Sequence, residues 1–217
     1  MDARRTRKTS FAVRVALLFL AAASLMVFSL SAQEIVERQG EYAEARNEYG
    51  QLRFSATAPI EDELSMSNEQ LSIDFDALRA INPDIVGWIV VPGTEISYPI
   101  VQGRDNAHYL RHTFGGRQSA SGAIFLDYRD APDFRGRARI YGHNMRDGSM
   151  FAGLRGWDGD RFLIHTPDGT LEFAVTMRRA VSVCDGMFTS HADGVTLVTC
   201  VNGRPDVRFV VRGWPDA

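Results

Sequence analysis

Lysine is almost absent: Lys8 is the only one, against 23 arginines, a bias of genomic base composition rather than of chemistry. Cysteine is nearly as scarce. Two cysteines in 217 residues exclude a disulfide-rich scaffold and a zinc site built from cysteines. Positive charge is not in excess, since 24 Lys and Arg stand against 27 Asp and Glu, so no nucleic-acid partner is expected. The chain lacks a βαβ rhythm and a glycine-rich phosphate loop. Gly115-Gly116 and the set Gly153, Gly156, Gly159 do not follow a strand in the way such a loop requires. There is no internal repeat and no long low-complexity tract. What is present suits one domain of ordinary size plus an appendage. Charged residues at 24% and 13 Phe exclude a disordered chain.

The charge is unevenly placed. Residues 1–32 hold Arg4, Arg5, Arg7, Lys8 and Arg14 against Asp2 alone, so the net −3 of the whole chain leaves −7 on the remainder. Residues 15–32 then run without a charge. At about 1.5 Å per residue they reach roughly 27 Å, the thickness of a bilayer's hydrocarbon core. The basic flank precedes this run, which places residues 1–14 in the cytoplasm and residues 33–217 outside. Two readings stand: a signal peptide cut after Ser31 or Ala32, and an uncleaved single-pass anchor, which the length of the run favours. Residues 34–53 read as a charged, exposed helix broken near Gly40 and Gly50, and residues 55–70 as linker.

Residues 73–81 place Phe75, Leu78 and Ile81 on one helical face, ended by Asn82-Pro83. The period then shortens. Residues 86–91 form a compact apolar run, and residues 95–101 alternate. Residues 105–112 read as a short helix. Strands are expected at 123–126, 137–141, 161–164, 171–183, 195–199 and 207–211. Asp168-Gly169 between two such runs is the strongest hairpin signal. The spacing suggests a mostly β barrel or sandwich with a few helices.

Candidate chemistry centres on cysteine and histidine. Cys200 ends the run Thr196-Leu197-Val198-Thr199 just before the polar turn Asn202-Gly203, and Cys184 also ends a strand. Each can be a buried small hydrophobe, half of a disulfide, or a reactive thiol. His108 and His112 have metal-ligand spacing, but their segment lacks a zinc-protease glutamate and a third ligand, so no metal is expected. His143 follows a strand and a glycine in Tyr141-Gly142-His143-Asn144, a context that exposes an imidazole. A thiol with a histidine partner is a route to nucleophilic catalysis, and a nearby arginine favours thiolate and can donate to an oxyanion. Arg204 and Arg208 both follow Cys200 closely.

These residues resemble a known family. The stretch from Tyr141-Gly142-His143-Asn144 through Met150-Phe151 resembles the histidine motif of class B sortases. Thr196-Leu197-Val198-Thr199-Cys200, followed by Arg208-Phe209-Val210-Val211, resembles their cysteine and arginine signature. Further matches are Val86-Gly87-Trp88-Ile89, the run from Ile96 to Val101, Asp105-Asn106 with Tyr109-Leu110, and the run from Gly122 to Asp127. The likeness covers about residues 73–213 in the family's order.

The resemblance implies a closed, mostly eight-stranded sortase-type β-barrel over residues 73–217, with N-terminal helices. Before it come an extracellular stalk, helix and linker (33–72), a transmembrane signal-anchor (15–32) and a cytoplasmic basic tail (1–14). It implies a membrane-anchored cysteine transpeptidase on the outer face of a Gram-positive cell, needing no cofactor. Cys200 would attack a sorting signal of LPxTG or NPxTN type after its threonine. His143 would move the proton and Arg208 would hold the oxyanion. Asn106 and Thr199 match positions near the substrate groove, and Arg204 is the rival for the arginine role. Partners would be surface proteins bearing the signal, and a lipid II-like wall amine or a pilin lysine. Two departures stand out. The connection at 185–194 is short where class B members carry a long insertion, and Val198 replaces a common serine. The alternatives are an L,D-transpeptidase, whose Ser-x-Gly-Cys context is missing, and a silenced membrane-tethered domain that only binds surface proteins.

Overall fold

The computed structural model describes residues 11–58, 72–188 and 193–215. Contacts divide the chain into two compact units, Met1–Glu41 and Tyr42–Ala217. The basic tail up to residue 10 and most of the expected linker, residues 59–71, lie outside the described residues.

Helix α1 runs over Phe11–Ala56. It is long and apolar enough to cross a membrane by length and composition: its most apolar window has a mean hydropathy of 2.3 and is 0% buried. The breaks expected at Gly40 and Gly50 do not occur. A glycine costs a helix only about 1 kcal/mol relative to alanine. At Gly50 the buried neighbours Tyr49 and Leu52 offset that cost.

In the second unit, the end of α1 is tied to the segment at 113–122. Glu48 accepts from the Thr113 hydroxyl (2.9 Å) and the Gly115 amide (2.8 Å), and the Tyr49 hydroxyl donates to the Gly122 carbonyl at 2.7 Å. A two-residue pairing of β1 (Thr57–Ala58) with β2 (Ser72–Ile73) precedes helix α2 (Phe75–Ile81). Asp74 caps α2 by accepting the Ala77 amide at 2.9 Å, and Phe75 and Leu78 are its buried face.

Eight strands close a barrel. They are β3 (Ile85–Val90), β4 (Ser97–Val101), β5 (Ile124–Leu126), β6 (Arg137–Tyr141), β7 (Arg161–Thr166), β8 (Gly169–Ser182), β9 (Gly194–Val201) and β10 (Arg204–Pro215). The order around the barrel is β10-β8-β7-β3-β4-β5-β6-β9. Pairs β4–β5 and β6–β9 are parallel, and the rest are antiparallel. Asp168-Gly169 turns β7 into β8, with Gly169 at φ +136°. Fully buried Ile89, Ile100, Ile124, Phe162 and Phe173 belong to one core, each stabilising the fold by about 1.5–3 kcal/mol.

Residues 105–112 form turns rather than the expected helix. The Asp105 carboxylate accepts the amides of Ala107 (2.7 Å) and His108 (2.9 Å), a local bond that competes with helical ones. This segment lies in the crossover between the parallel strands β4 and β5.

Candidate active site

The parallel pairing of β6 with β9 sets the site. Tyr141 lies opposite Val198, so the residues after each come together. The Gly142 amide donates to the Val198 carbonyl at 3.1 Å, and the Thr199 hydroxyl donates to the Gly142 carbonyl at 2.8 Å. His143 therefore emerges beside the end of β9, where Cys200 stands. On its other side β9 pairs with β10, and Arg208 lies directly opposite Cys200. A register shift between Arg204 and Arg208 bulges β10 at this point. Bulges near sites re-aim side chains.

One cleft of about 260 Å³ takes in all five residues expected from sequence: Asn106, His143, Thr199, Cys200 and Arg208. Arg204 pairs opposite Val201, is exposed, and does not line it. Leu110 and Tyr141 do line it. Both sit in motifs that the sequence singled out without giving them a role.

The geometry around each group is definite. His143 Nε2 lies 2.9 Å from the Leu110 carbonyl. A carbonyl only accepts, so Nε2 is the donor and Nδ1 is left for proton exchange. Gly142 is required next to it: a Cβ there would lie 2.4 Å from Ile124 Cδ1 and 2.7 Å from the Phe151 ring. The loop carrying His143 is closed by an Asn144–Met150 bridge and by the Phe151 amide donating to the His143 carbonyl at 2.9 Å. Asn144 Nδ2 donates to the Cys200 carbonyl at 3.0 Å, which fixes the backbone of the thiol-bearing residue. The Arg208 guanidinium rests on the carbonyls of Pro205 (2.9 Å) and Val207 (3.0 Å) through one nitrogen, Nη1. No carboxylate pairs with it among the described residues.

Asn106 and Thr199 face inward chemically. The Asn106 amide donates to Asp127 (3.0 Å) and accepts from the Tyr128 amide (3.1 Å), while the Thr199 hydroxyl is held on Gly142. Beside the cleft lies a charge network built on two buried carboxylates, Asp127 and Asp130. Arg139 reaches Asp130 twice at 2.8 Å and Asp127 at 3.4 Å, Arg129 grips Asp127 with two bonds of 2.8 Å, and Arg137 joins Asp130 at 2.9 Å.

Both cysteines are free, with Cys184 exposed and Cys200 partly buried. Strand β10 stands between their strands. Two inter-strand spacings put them about 9–10 Å apart in that direction alone, beyond the roughly 7 Å that a disulfide spans. Cys184 lies further along still, past the pairing of Ser182 with Val207. The rings of His108 and His112 stack at 4.2 Å, and His112 Nδ1 is occupied by the His108 carbonyl. Among the described residues no three metal-ligating side chains gather.

The short connection between β8 and β9 is pinned by arginines from three strands. Arg179 of β8 pairs with Asp185 at 3.6 Å. Arg139 of β6 donates to the Phe188 carbonyl at 2.8 Å, and Arg212 of β10 donates to the Asp193 carbonyl. Phe188 packs with Tyr141 on the cluster of Val181, Val198 and Val210. Residues 189–192 of this connection, with His191, lie outside the described residues.

Fold and cleft thus define a closed mixed β-barrel with a cysteine-centred site at the meeting of three strands. Comparison with known proteins agrees. The sortase domain family matches residues 89–216. The chain is 41% identical to sortase B of Listeria monocytogenes over 110 residues, which is 50% of this chain and 45% of that protein. It is 37% identical to sortase B of Staphylococcus aureus over 89 residues, 41% of this chain and 36% of the relative. The matched part thus spans less than half the length of these curated relatives. Sortase B from Bacillus anthracis, solved in complex with AAEK1, superposes with a TM-score of 0.63 at 27% identity, covering 81% of this chain and 97% of that one. A Streptococcus pyogenes class B sortase involved in pilus biogenesis gives 0.57 at 28% identity, covering 66% of this chain and 98% of that one. The chain belongs to the sortase family, in its class B.

Proposed function

We propose that this protein is a cysteine transpeptidase. The observation that supports it best is the convergence of Cys200, His143 and Arg208 on one cleft from three adjoining strands. The Cys200 thiolate attacks the carbonyl of the threonine in a sorting signal of LPxTG or NPxTN type. Arg208, with nitrogens not held by its own strand, stabilises the oxyanion. The threonine–glycine or threonine–asparagine bond breaks as the His143 imidazolium gives its proton to the leaving amine. A thioacyl bond to Cys200 remains. An incoming amine, from a lipid II-like wall precursor or a pilin lysine, then attacks that bond. His143 takes back the proton, and the thiolate leaves.

Asn106 and Thr199 serve this site mainly by holding its walls, given how their polar groups are occupied. The apolar run at 15–32 acts as a single-pass anchor with residues 1–14 in the cytoplasm, which places the barrel of residues 73–217 at the outer surface. Residues 33–72 supply the extracellular stalk, N-terminal helix and linker ahead of the barrel, with Tyr49 and Leu52 of that helix in the barrel's core.

The test uses the full chain in detergent micelles with a panel of LPxTG-like and NPxTN-like peptides and an added amine. Peptide cleavage coupled to amine transfer, absent in Cys200→Ala, is the expected result. No turnover of the panel with Cys200 freely alkylated would point to a signal outside it, whereas no turnover with a Cys200 that resists alkylation would leave only the silenced binding domain.

A further inference from the structure

Asp127 follows the last residue of β5, and its side chain is fully buried, at 0% exposure. Five donors from three separate stretches of chain converge on it. Oδ2 receives Asn106 Nδ2 (3.0 Å), the Tyr141 hydroxyl (3.2 Å) and Arg129 Nη2 (2.8 Å). Oδ1 receives Arg129 Nε (2.8 Å) and the Arg129 amide (3.1 Å). Two of these donors, Asn106 and Tyr141, line the cleft.

Asn106 also anchors its own segment. With its amide bound at both ends, to Asp127 and to the Tyr128 amide, it clamps the turns at 105–112 to the end of β5. That same segment presents the Leu110 carbonyl to His143 Nε2. The path from carboxylate to imidazole is short: Asp127 to Asn106, along four residues of turn to Leu110, and across one hydrogen bond to His143.

Only a carboxylate satisfies this position. An asparagine at 127 would turn an NH2 toward a guanidinium or an amide NH2, donor against donor. Burial by itself would raise the Asp127 carboxyl, but the Arg129 side chain and amide, with Asn106 and Arg139, outweigh it and hold the group well below the usual carboxylate range. Burial, with the Asp127 charge, pushes Tyr141 up to about 12, so its hydroxyl remains a donor to that charge at neutral pH.

The geometry points to Asp127 as a positioning residue of the site: through Asn106 it fixes the Leu110 carbonyl against His143 and so selects the imidazole tautomer that keeps Nδ1 open. It touches no substrate. This role rests on the transpeptidase reading for its purpose, but not for its measurement.

The measurement is the tautomer itself. Full-length chain labelled with 15N-histidine is examined in micelles, with the His143 signals assigned by their loss in His143→Gln. In the unaltered protein at a pH where the ring is neutral, Nε2 should show the shift of a protonated nitrogen and Nδ1 that of an unprotonated one. In Asp127→Asn and in Asn106→Ala the two shifts should move toward each other as the tautomers mix. The accompanying loss in kcat should be roughly 10- to 100-fold, with KM for the peptide held within about 2-fold. The double variant should lose no more than Asp127→Asn alone, because both changes cut one path.

Additive losses, or His143 shifts unmoved in Asn106→Ala, would overturn the proposal and leave Asp127 a purely structural charge. If Asp127→Asn does not fold, Asn106→Ala and Tyr141→Phe carry the test, with Tyr141→Phe expected to shift the tautomer less than Asn106→Ala. If the unaltered protein transfers no peptide but its tautomer still responds to Asn106→Ala, the transpeptidase reading falls and the positioning role stands.

Discussion

Cys200 and Cys184 flank the same strand, β10, on its two sides, and each follows an apolar run. Their surroundings differ in kind. Cys200 stands in a cleft, opposite a guanidinium, next to an imidazole, with its carbonyl held by Asn144. Cys184 lies past the end of β8, exposed, with its amide on the Ser182 hydroxyl. Its neighbour Asp185 is a carboxylate paired with Arg179. Two thiols of one chain thus show that residue type fixes little. Strand pairing brings a guanidinium and an imidazole to the cleft of one of them and not to the other.

That contrast can be broken most directly by exchanging the roles. Cys200→Ala should lower amine transfer by at least about 10⁴-fold, while Cys184→Ala leaves the rate within about 2-fold, both read as initial rates on one peptide. A large loss in Cys184→Ala would erase the distinction. Next in size is His143→Ala, expected to cost about 10²–10⁴-fold in kcat. Arg208→Lys keeps the charge but loses the planar fork, and should cost about 10²-fold. A rate unchanged in Arg208→Lys would reduce the guanidinium to a general positive charge.

Two smaller effects sharpen the contrast on the side of the scaffold. Gly142→Ala forces a Cβ against Ile124 and Phe151, and urea unfolding should report a loss of about 1–3 kcal/mol. The smallest effect concerns a buried histidine, His165, as opposed to the cleft's His143. Burial lowers its pKa, and its Nε2 has no partner among the described residues. Above the unfolded value of about 6.5 neither state is charged there. Below it the unfolded chain takes the proton first, so stability falls as pH drops, until the folded imidazole is protonated too. Melting temperatures between pH 7 and 5 should decline less steeply in His165→Gln.

Much of this was legible in the sequence, and for local reasons. Flanking turn residues marked β6 to the residue, and they marked β9 to within two residues at its end. Asp168-Gly169 marked its hairpin. The glycine before His143 and the polar turn after Cys200 marked the two residues that the closed barrel brings together. What escaped is non-local. Asp127 draws on partners 21, 2 and 14 residues away, and no periodicity announces such a meeting. The turns at 105–112 carry helix-like spacing, yet Asp105 diverts the amides that a helix would use. Helix α1 continues through two glycines, although the sequence places breaks there.

The parallel contact of β6 with β9 carries one more consequence. The Thr199 hydroxyl reaches back 57 residues to the Gly142 carbonyl, and β10 must then be laid against β9 before Arg208 faces Cys200. A chain made from its N-terminus holds its histidine long before its thiol, and its thiol before the arginine. An incomplete copy therefore owns a cysteine but no cleft. The cleft is complete only once β10 is laid against β9.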